Sequence, residues 1–428
     1  MRHHKAILVN NIGQLLTMDG PLMPRTGRFM SDLGLRRKAA VIIEGEKIAF
    51  AGASEEAARH PLSEHAYVIN AGGGVVTPGF CDSHTHPVFA EPRLVDFQLR
   101  LRGATYAEIK AGGGGIISSI TGVRNASAYE LEKRLVQRFN RFIACGTTSL
   151  EAKTGYGLDM ESELKGLAVI HKAAARVKAD VVSTLLAAHS VPPEFTGDTE
   201  KYVRHVIEEI LPRAAEKKLA SFCDVFCEKN YFDVDQTVRV LAAGRALGLK
   251  PKVHGEQLCR FGGADAAVRV GAISIDHADY CEPQDISALA KAGVIATLLP
   301  ASNCFLGLSK YPPARAMIDG GLPVALATDF NPGTSPCWNM QFVMALGCTQ
   351  MKMSPEEVFC AATVNGAWAM GLGDRAGIIA KGRQADLVIF DAEDYREIPY
   401  YFGDSTVRAV LRRGEVAWQR HTPEQKTA

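Results

Sequence analysis

Residues 75–89 read VVTPGFCDSHTHPVF. An apolar run closes on Cys81-Asp82-Ser83 and then presents His84 and His86 with one residue between them. In a strand, residues two apart share a face, so both imidazoles project together from the C-terminal end of one strand. A His-x-His pair alone is a weak signal. It gains weight because His254, His277 and Asp329 each stand at or beside the end of another apolar run.

Outward from this stretch the chain alternates. Strand-like runs are predicted at 76–83, 147–151, 181–188, 223–228, 252–254, 272–277, 294–299 and 324–328. Helices are predicted at 128–144, 159–177, 199–217, 234–247 and 337–352, where apolar residues recur at three- and four-residue spacing. Eight strands alternating with helices are the pattern of a (β/α)8, TIM-like barrel, placed over residues 76–379. An open doubly wound sheet fits less well, because no G-x-G-x-x-G follows the first strand.

The two ends read differently. Short strands are predicted at 5–9, 40–43 and 47–51, with Glu44-Gly45-Glu46 as a turn, and again at 385–391, 407–411 and 416–418, with Arg413-Gly414 as a turn. Chain termini commonly lie close together. Residues 1–75 and 380–428 are therefore expected to build one small composite β-sandwich domain.

Composition removes several classes of partner. Forty-eight basic residues against forty-seven acidic ones leave almost no net charge, which argues against a nucleic-acid binder or a polybasic membrane partner. The opening MRHHKAILVNN holds no long apolar segment, so neither a signal peptide nor a membrane span is expected. Ten cysteines are scattered without C-x-x-C spacing, most of them in apolar surroundings. Buried reduced thiols in a cytoplasmic protein are the expectation, with a small molecule as the substrate.

In such a barrel, catalytic groups come from the C-terminal ends of different strands. Here His84 and His86 end the first run, Glu151 the second and Glu228 the fourth, while His189 follows the third. His254 ends the fifth, His277 the sixth, and Asp329 follows the eighth. Five of the twelve histidines thus stand at strand ends, more than scattered structural polar groups would give. Three histidines and a carboxylate suit zinc or iron better than magnesium or calcium. Such an ion activates water for attack on an electrophilic carbon. Asp329 and His277 are the natural pair to take its proton and return it to a leaving nitrogen. No G-x-S-x-G is present, and no cysteine is marked out beside a base. The run Gly112–Gly115 lacks the Lys-Ser/Thr of a phosphate loop and is expected to close over a substrate.

These segments resemble the amidohydrolase superfamily, through GFCDSHTHPVF (79–89), HGEQL (254–258), SIDHADY (274–280) and ATDFNPG (327–333). Within it the chain is similar to the imidazolonepropionase family, through RGATYAEI (102–109), EAKTGYGLD (151–159), AAHSVPPEF (187–195), NPGTSP (331–336) and KGRQADLVIFD (381–391). The resemblance spans nearly the whole chain. It implies a cyclic amidohydrolase that opens 4-imidazolone-5-propanoate to N-formimidoyl-L-glutamate in histidine degradation. It implies one zinc or iron ion per chain on His84, His86, His254 and Asp329, with His277 beside the reacting water.

Substrate contacts are implied for Arg93, Tyr156 and His189, with Tyr106 assisting, and Gln257, three residues after a ligand, is implied as a further catalytic residue. Asn331, Gly333 and Thr334 would line the product side, and the active form would be a homodimer. Residue chemistry agrees: a propionate tail needs a cation, and arginine grips a carboxylate with two parallel bonds. Gly155 and Gly157 let the Tyr156 ring approach a ligand. The rival is a relative acting on another cyclic amide or amidine, hydantoinase- or aminohydrolase-like. The chain departs from the family pattern at Glu91, Pro92 and ASNCFLG (301–307). It also carries Glu228 where many binuclear relatives place a bridging lysine.

Overall fold

A computed structural model of the chain describes residues 6–104, 108–109 and 112–420. The N-terminal segment supplies β1 (Ala6–Leu16), β2 (Leu35–Glu44), β3 (Lys47–Ala53), β4 (Tyr67–Asn70) and β5 (Val75–Pro78). The run expected as a single strand over 76–83 is two. β5 joins the terminal sheet, and β6 (Phe80–Asp82) begins the barrel. Pro78 has no N–H to offer a ladder. At Gly79 an added Cβ would come 2.0 Å from Thr148 Oγ1, so only glycine lets the chain cross between the layers here.

From β6 the chain continues through β7 (Thr147–Lys153), β8 (Asp180–Ala188), β9 (Phe222–Cys227) and β10 (Lys250–Gly255). It ends the barrel with β11 (Ser274–His277), β12 (Ile295–Leu298) and β13 (Val324–Leu326). These eight strands are parallel and pair in sequence order. The seam between the last and the first lies just past their ends. Thr85 and Phe330 form a parallel bridge. His86 N donates to Phe330 O at 2.8 Å, and Asp329 N donates to His84 O at 3.1 Å. The buried Asp82 carboxylate adds two bonds, from Thr328 N at 3.0 Å and Thr328 Oγ1 at 2.7 Å. Barrel closure therefore sets His84, His86 and Asp329 side by side.

Helices pack outside the strands. Ala128–Ala144 has its expected bounds, with a capping box between Ser127 and Glu130, and buries the stripe Leu131, Leu135, Phe139, Phe142 and Ile143. The segment expected as one helix over 199–217 carries a π turn at Val206–Ile210. Pro212 follows two residues later, and a proline in a helix interior removes one i→i−4 bond and crowds the i−4 carbonyl, so the ladder is irregular here.

After the barrel come β14 (Leu387–Phe390), β15 (Val407–Arg412) and β16 (Glu415–Gln419). Both chain ends share one sheet in the order β16-β15-β14-β5-β1-β2-β3, with β4 pairing the N-terminal half of β1 on the edge that β5 takes further along. The two layers expected of a sandwich are parts of this continuous sheet, which curls until β3 meets the segment that leads into β14. Lys47 bridges Gln384, and Ile48 N donates to Arg383 O at 2.9 Å. Val9, Leu15, Val41, Ile43, Leu387 and Leu411 fill the enclosed core.

All ten cysteines are unpaired. Five are buried, fewer than the sequence suggested, and Cys304 is exposed. Among the described residues no helix is long and apolar enough to cross a membrane.

Candidate active site

Three imidazoles and one carboxylate converge where the barrel closes. His84 Nε2 lies 3.1 Å from His86 Nε2, which lies 3.3 Å from His254 Nε2. Asp329 Oδ1 is 3.6 Å from the Nε2 atoms of both His84 and His86. A zinc ion with four ligands at 2.0–2.1 Å has ligand-to-ligand edges of about 3.3 Å, so these four residues fit one borderline cation. His277 is adjacent: ring nitrogens of His84, His254 and His277 lie within 4.8 Å of one another. All five side chains are buried.

The backbone is unusual at this point. His277 has φ +79°, Ala278 +59° and Asp329 +52°, values that non-glycine residues rarely adopt. Ala278 N donates to Gly255 O at 3.1 Å, and Asp329 is held by the seam. Strain of this kind persists where surrounding bonds over-determine a functional geometry.

Beneath the histidines lies a buried layer of charge, of which the sequence singled out only Glu151. Lys153 Nζ reaches Asp224 Oδ2 at 2.7 Å, Glu151 Oε2 at 3.0 Å and Asp276 Oδ2 at 3.4 Å. Lys252 Nζ reaches Glu151 Oε2 at 2.8 Å and Ser83 O at 2.9 Å. The carboxylates in turn meet the imidazoles: Asp276 Oδ2 is 2.7 Å from His84 Nδ1, and Asp224 Oδ2 is 2.8 Å from His254 Nδ1. For His84 this contact is a hydrogen bond: with Nδ1–H turned to Asp276, Nε2 is left as the lone-pair acceptor, as a metal-binding histidine requires.

Burial, then Lys153 and neighbouring imidazoles, holds His84 and His254 well below the ordinary imidazole range. Burial and the nearby His189 do the same for His86. Neutral imidazole is the metal-binding form. Burial alone would raise Asp276, but Lys252 and Lys153 outweigh it and bring its carboxyl down to about 2. The signal in sequence was a charged residue inside an apolar strand, as in Lys252 and Asp276, which only a closed barrel can bury.

Two strand-end carboxylates play other parts. Glu151 is tied to both lysines and takes no place in the cavity. Glu228 accepts from Gln257 N at 3.1 Å, Leu258 N at 2.8 Å and Lys229 N at 3.0 Å. It organises the loop after β10.

A cavity of about 470 Å³ opens over the histidine cluster, with His86, His254, His277 and Asp329 at its floor. Arg93, Tyr156, His189 and Gln257 line its walls, together with Asn331, Gly333 and Thr334. His84 lies beneath this surface. Tyr106 falls outside the described residues. The Arg93 guanidinium stands 5.5 Å from the Tyr156 ring centroid, and its Nε donates to Ser119 Oγ at 2.9 Å. His189 Nδ1 bonds Gly155 O at 3.0 Å, and its ring stacks on His86 with centroids 5.1 Å apart. Burial lowers the His189 pKa to about 4 and that of His277 to about 3.

The Asn331 amide is engaged within its own turn, accepting from Gly333 N and Thr334 N at 2.8 and 2.7 Å. Gly115, the last of the glycine run, borders the cavity, and its N–H donates to Asp96 Oδ2 at 2.8 Å. Arg100 and Leu308 are further wall residues that the sequence did not mark, and Leu306 is another wall residue. Leu306 comes from the divergent 301–307 segment, whereas Glu91 turns to an exposed ion pair with Arg134.

Comparison with known proteins agrees with this architecture. Residues 260–417 match the Amidohydrolase family. The chain is 44% identical over 407 residues to the imidazolonepropionase of Shouchella clausii (strain KSM-K16), covering 94% of this chain and 91% of that protein. It is 39% identical over 414 residues to the imidazolonepropionase of Alkaliphilus oremlandii (strain OhILAs), covering 97% and 98%. Among solved structures, an adenosine deaminase from Xanthomonas campestris with bound zinc superposes with a TM-score of 0.71 at 16% identity, over 98% of this chain and 95% of that one. An atrazine chlorohydrolase from Arthrobacter aurescens TC1 complexed with zinc gives 0.68 at 14% identity, over 98% and 96%. Likeness at that identity concerns the fold alone. Near-full-length relatives at about 40% identity settle the kinship: the chain belongs to the imidazolonepropionase family of the amidohydrolases.

Proposed function

We propose that this chain opens the ring of 4-imidazolone-5-propanoate to N-formimidoyl-L-glutamate, with one zinc or iron ion per chain. The observation that carries this reading is one cavity with a histidine–carboxylate cluster on its floor and Arg93 on its wall. A ring placed over the cluster would leave its carboxylate tail within reach of a guanidinium. The names of the chain's relatives support the same substrate.

When held by His84, His86, His254 and Asp329, the ion supplies Lewis acidity and lowers the pKa of water. The remaining work belongs to side chains. Asp329, which lines the cavity, takes the water proton and returns it to the leaving ring nitrogen. His277, neutral because burial lowers its pKa, accepts a hydrogen bond from the attacking water and orients it. Arg93 Nε is engaged by Ser119, which leaves its two terminal nitrogens for the propionate. His189, with Nδ1–H on Gly155 O, offers Nε2 as an acceptor to a ring N–H. Gln257 offers its side-chain amide to the ring polar groups, and Asn331 holds the turn that brings Gly333 and Thr334 to the cavity edge.

A single ion is supported by the deeper layer, where Lys153 and Lys252 already pair with Glu151, Asp224 and Asp276. Ten unpaired cysteines support a reducing, cytoplasmic location. A homodimer belongs to the same proposal, supported by exposed Leu94, Val95 and Leu101 on one helix. The deciding experiment is turnover of freshly generated 4-imidazolone-5-propanoate, followed by loss of its ultraviolet absorbance on enzyme of counted metal content. Chelator-sensitive turnover with about one ion per chain is the expected result. Fully metallated enzyme that leaves the compound untouched would refute the substrate.

A further inference from the structure

We infer that Glu163 is a positioning residue that sets two substrate-facing groups, Tyr156 and His189, by holding the loop between them. The inference deepens the proposed function and rests on it for the roles of those two side chains.

Glu163 sits in the first turn and a half of helix Met160–Ala174 and is 1% exposed. Its Oε1 accepts three backbone N–H groups from one loop: Gly155 at 3.2 Å, Gly157 at 2.9 Å and Leu158 at 3.0 Å. Tyr156 is the residue these bonds enclose. The loop could not keep this shape by backbone preference alone. Gly155 has φ +110° and Leu158 has φ +59°, and the left-handed region disfavours a leucine. Successive N–H groups in such a turn form a concavity that binds an anion, and here the anion is a side chain of the following helix.

The loop is also packed too tightly to slide. A Cβ at Gly157 would lie 2.7 Å from Ser162 Cβ, and one at Gly155 would lie 3.0 Å from His189 Nδ1.

Two consequences reach the cavity. The Tyr156 ring is fixed with its centroid 5.4 Å from His189 and 6.1 Å from His86, beneath the Arg93 guanidinium. Gly155 turns its carbonyl to His189 Nδ1 at 3.0 Å. That bond selects the tautomer of His189 and so the acceptor it presents from Nε2. One carboxylate oxygen thereby governs the placement of a ring and the hydrogen-bonding sense of another, without touching either.

The test compares Glu163→Ala, Glu163→Asp and Glu163→Gln in the full-length, metal-counted enzyme, reading KM, kcat and the 15N shifts of the His189 ring. Gln keeps an acceptor oxygen at the same reach and should stay near the parent in all three. Ala removes the acceptor, and KM for 4-imidazolone-5-propanoate should rise at least about tenfold, with kcat within about threefold and metal content unchanged. Its His189 ring should lose the single Nδ1–H signature. Asp shortens the reach and should fall between, so it carries the test if the Ala protein does not fold. Parent-like KM and His189 signature in the Ala or Asp protein would overturn the inference, as would a loss of metal and kcat with KM unchanged. Failure of the parent to turn over this substrate would strike the substrate alone, because the His189 signature is read without it.

Discussion

Asp276 Oδ2 lies 2.7 Å from His84 Nδ1, and the pair is wholly buried. The same carboxylate receives Ser274 Oγ on Oδ1 at 2.6 Å and faces Lys153 and Lys252. His84 thus has its Nδ1–H fixed from below while Nε2 meets the other donors. Removing the carboxylate frees the ring to rotate and lowers the basicity of Nε2. Asp276→Ala is expected to weaken metal binding roughly 10–100-fold, measured by competition with a chromogenic chelator. Asp276→Asn, which keeps an acceptor oxygen, should lose less. Parent-like affinity in the alanine protein would show that His84 is held by packing alone.

Lys153 ties three buried carboxylates. Replacing it with methionine would leave Glu151, Asp224 and Asp276 facing Lys252 alone. Breaking a buried pair from one side costs about 3–5 kcal/mol, because the partner charge stays buried. Lys153→Met should therefore lower the unfolding free energy of the metal-free protein by a matching amount, and the urea midpoint with it. An unchanged midpoint would mean that the carboxylates can protonate at little cost.

The contrast between these residues and the histidines explains what sequence could and could not reveal. His84, His86, His254 and Asp329 were legible because each sits at the end of an apolar run, where a barrel must gather its chemistry. Lys153, Lys252, Asp224 and Asp276 lie inside or at the margin of the same runs, and a lone charge there has no visible partner until the strands close. Gly79 was illegible for a related reason. Its demand for a missing side chain comes from Thr148, distant in sequence. Helix 128–144 was read to the residue because its capping box and apolar stripe are local. Glu151 and Glu228 show the limit of the strand-end rule, since each stands where catalysis usually sits and serves the scaffold instead.

Arg93 and Gly333 form a second coupled pair. A Cβ on Gly333 would lie 2.5 Å from Arg93 Nη1, so the glycine makes room for the guanidinium. Hydrogen bonds to charged groups contribute about 1.5–3 kcal/mol, so Arg93→Ala should raise KM for the propionate substrate roughly 10–100-fold. Metal content should not change. Gly333→Ala should shift KM in the same direction by a smaller factor, by displacing the guanidinium. Steady-state kinetics on metal-counted protein decides both, and an unaltered KM in the arginine variant would remove it from the carboxylate site.

Far from the cavity, Asp180 at the start of β8 fastens the barrel to the terminal sheet. Its carboxylate accepts from Arg412 Nη2, from Arg413 Nη2 at 3.0 Å and from Gln384 Nε2 at 2.6 Å. Burial would raise its pKa, but Gln384 and Arg412 outweigh that and hold it below the usual carboxylate range. A carboxyl depressed in the folded state binds fewer protons there than in the unfolded chain. Its stabilisation is therefore complete above the unfolded value, about 3.9, and fades as pH falls through the depressed one. Asp180→Asn should cost about 1.5–3 kcal/mol at neutral pH. The gap between variant and parent should hold down to about pH 5 and close below about pH 4. Melting of the metal-free proteins across that range reads it directly, and a gap that widens with acid would contradict the depressed pKa.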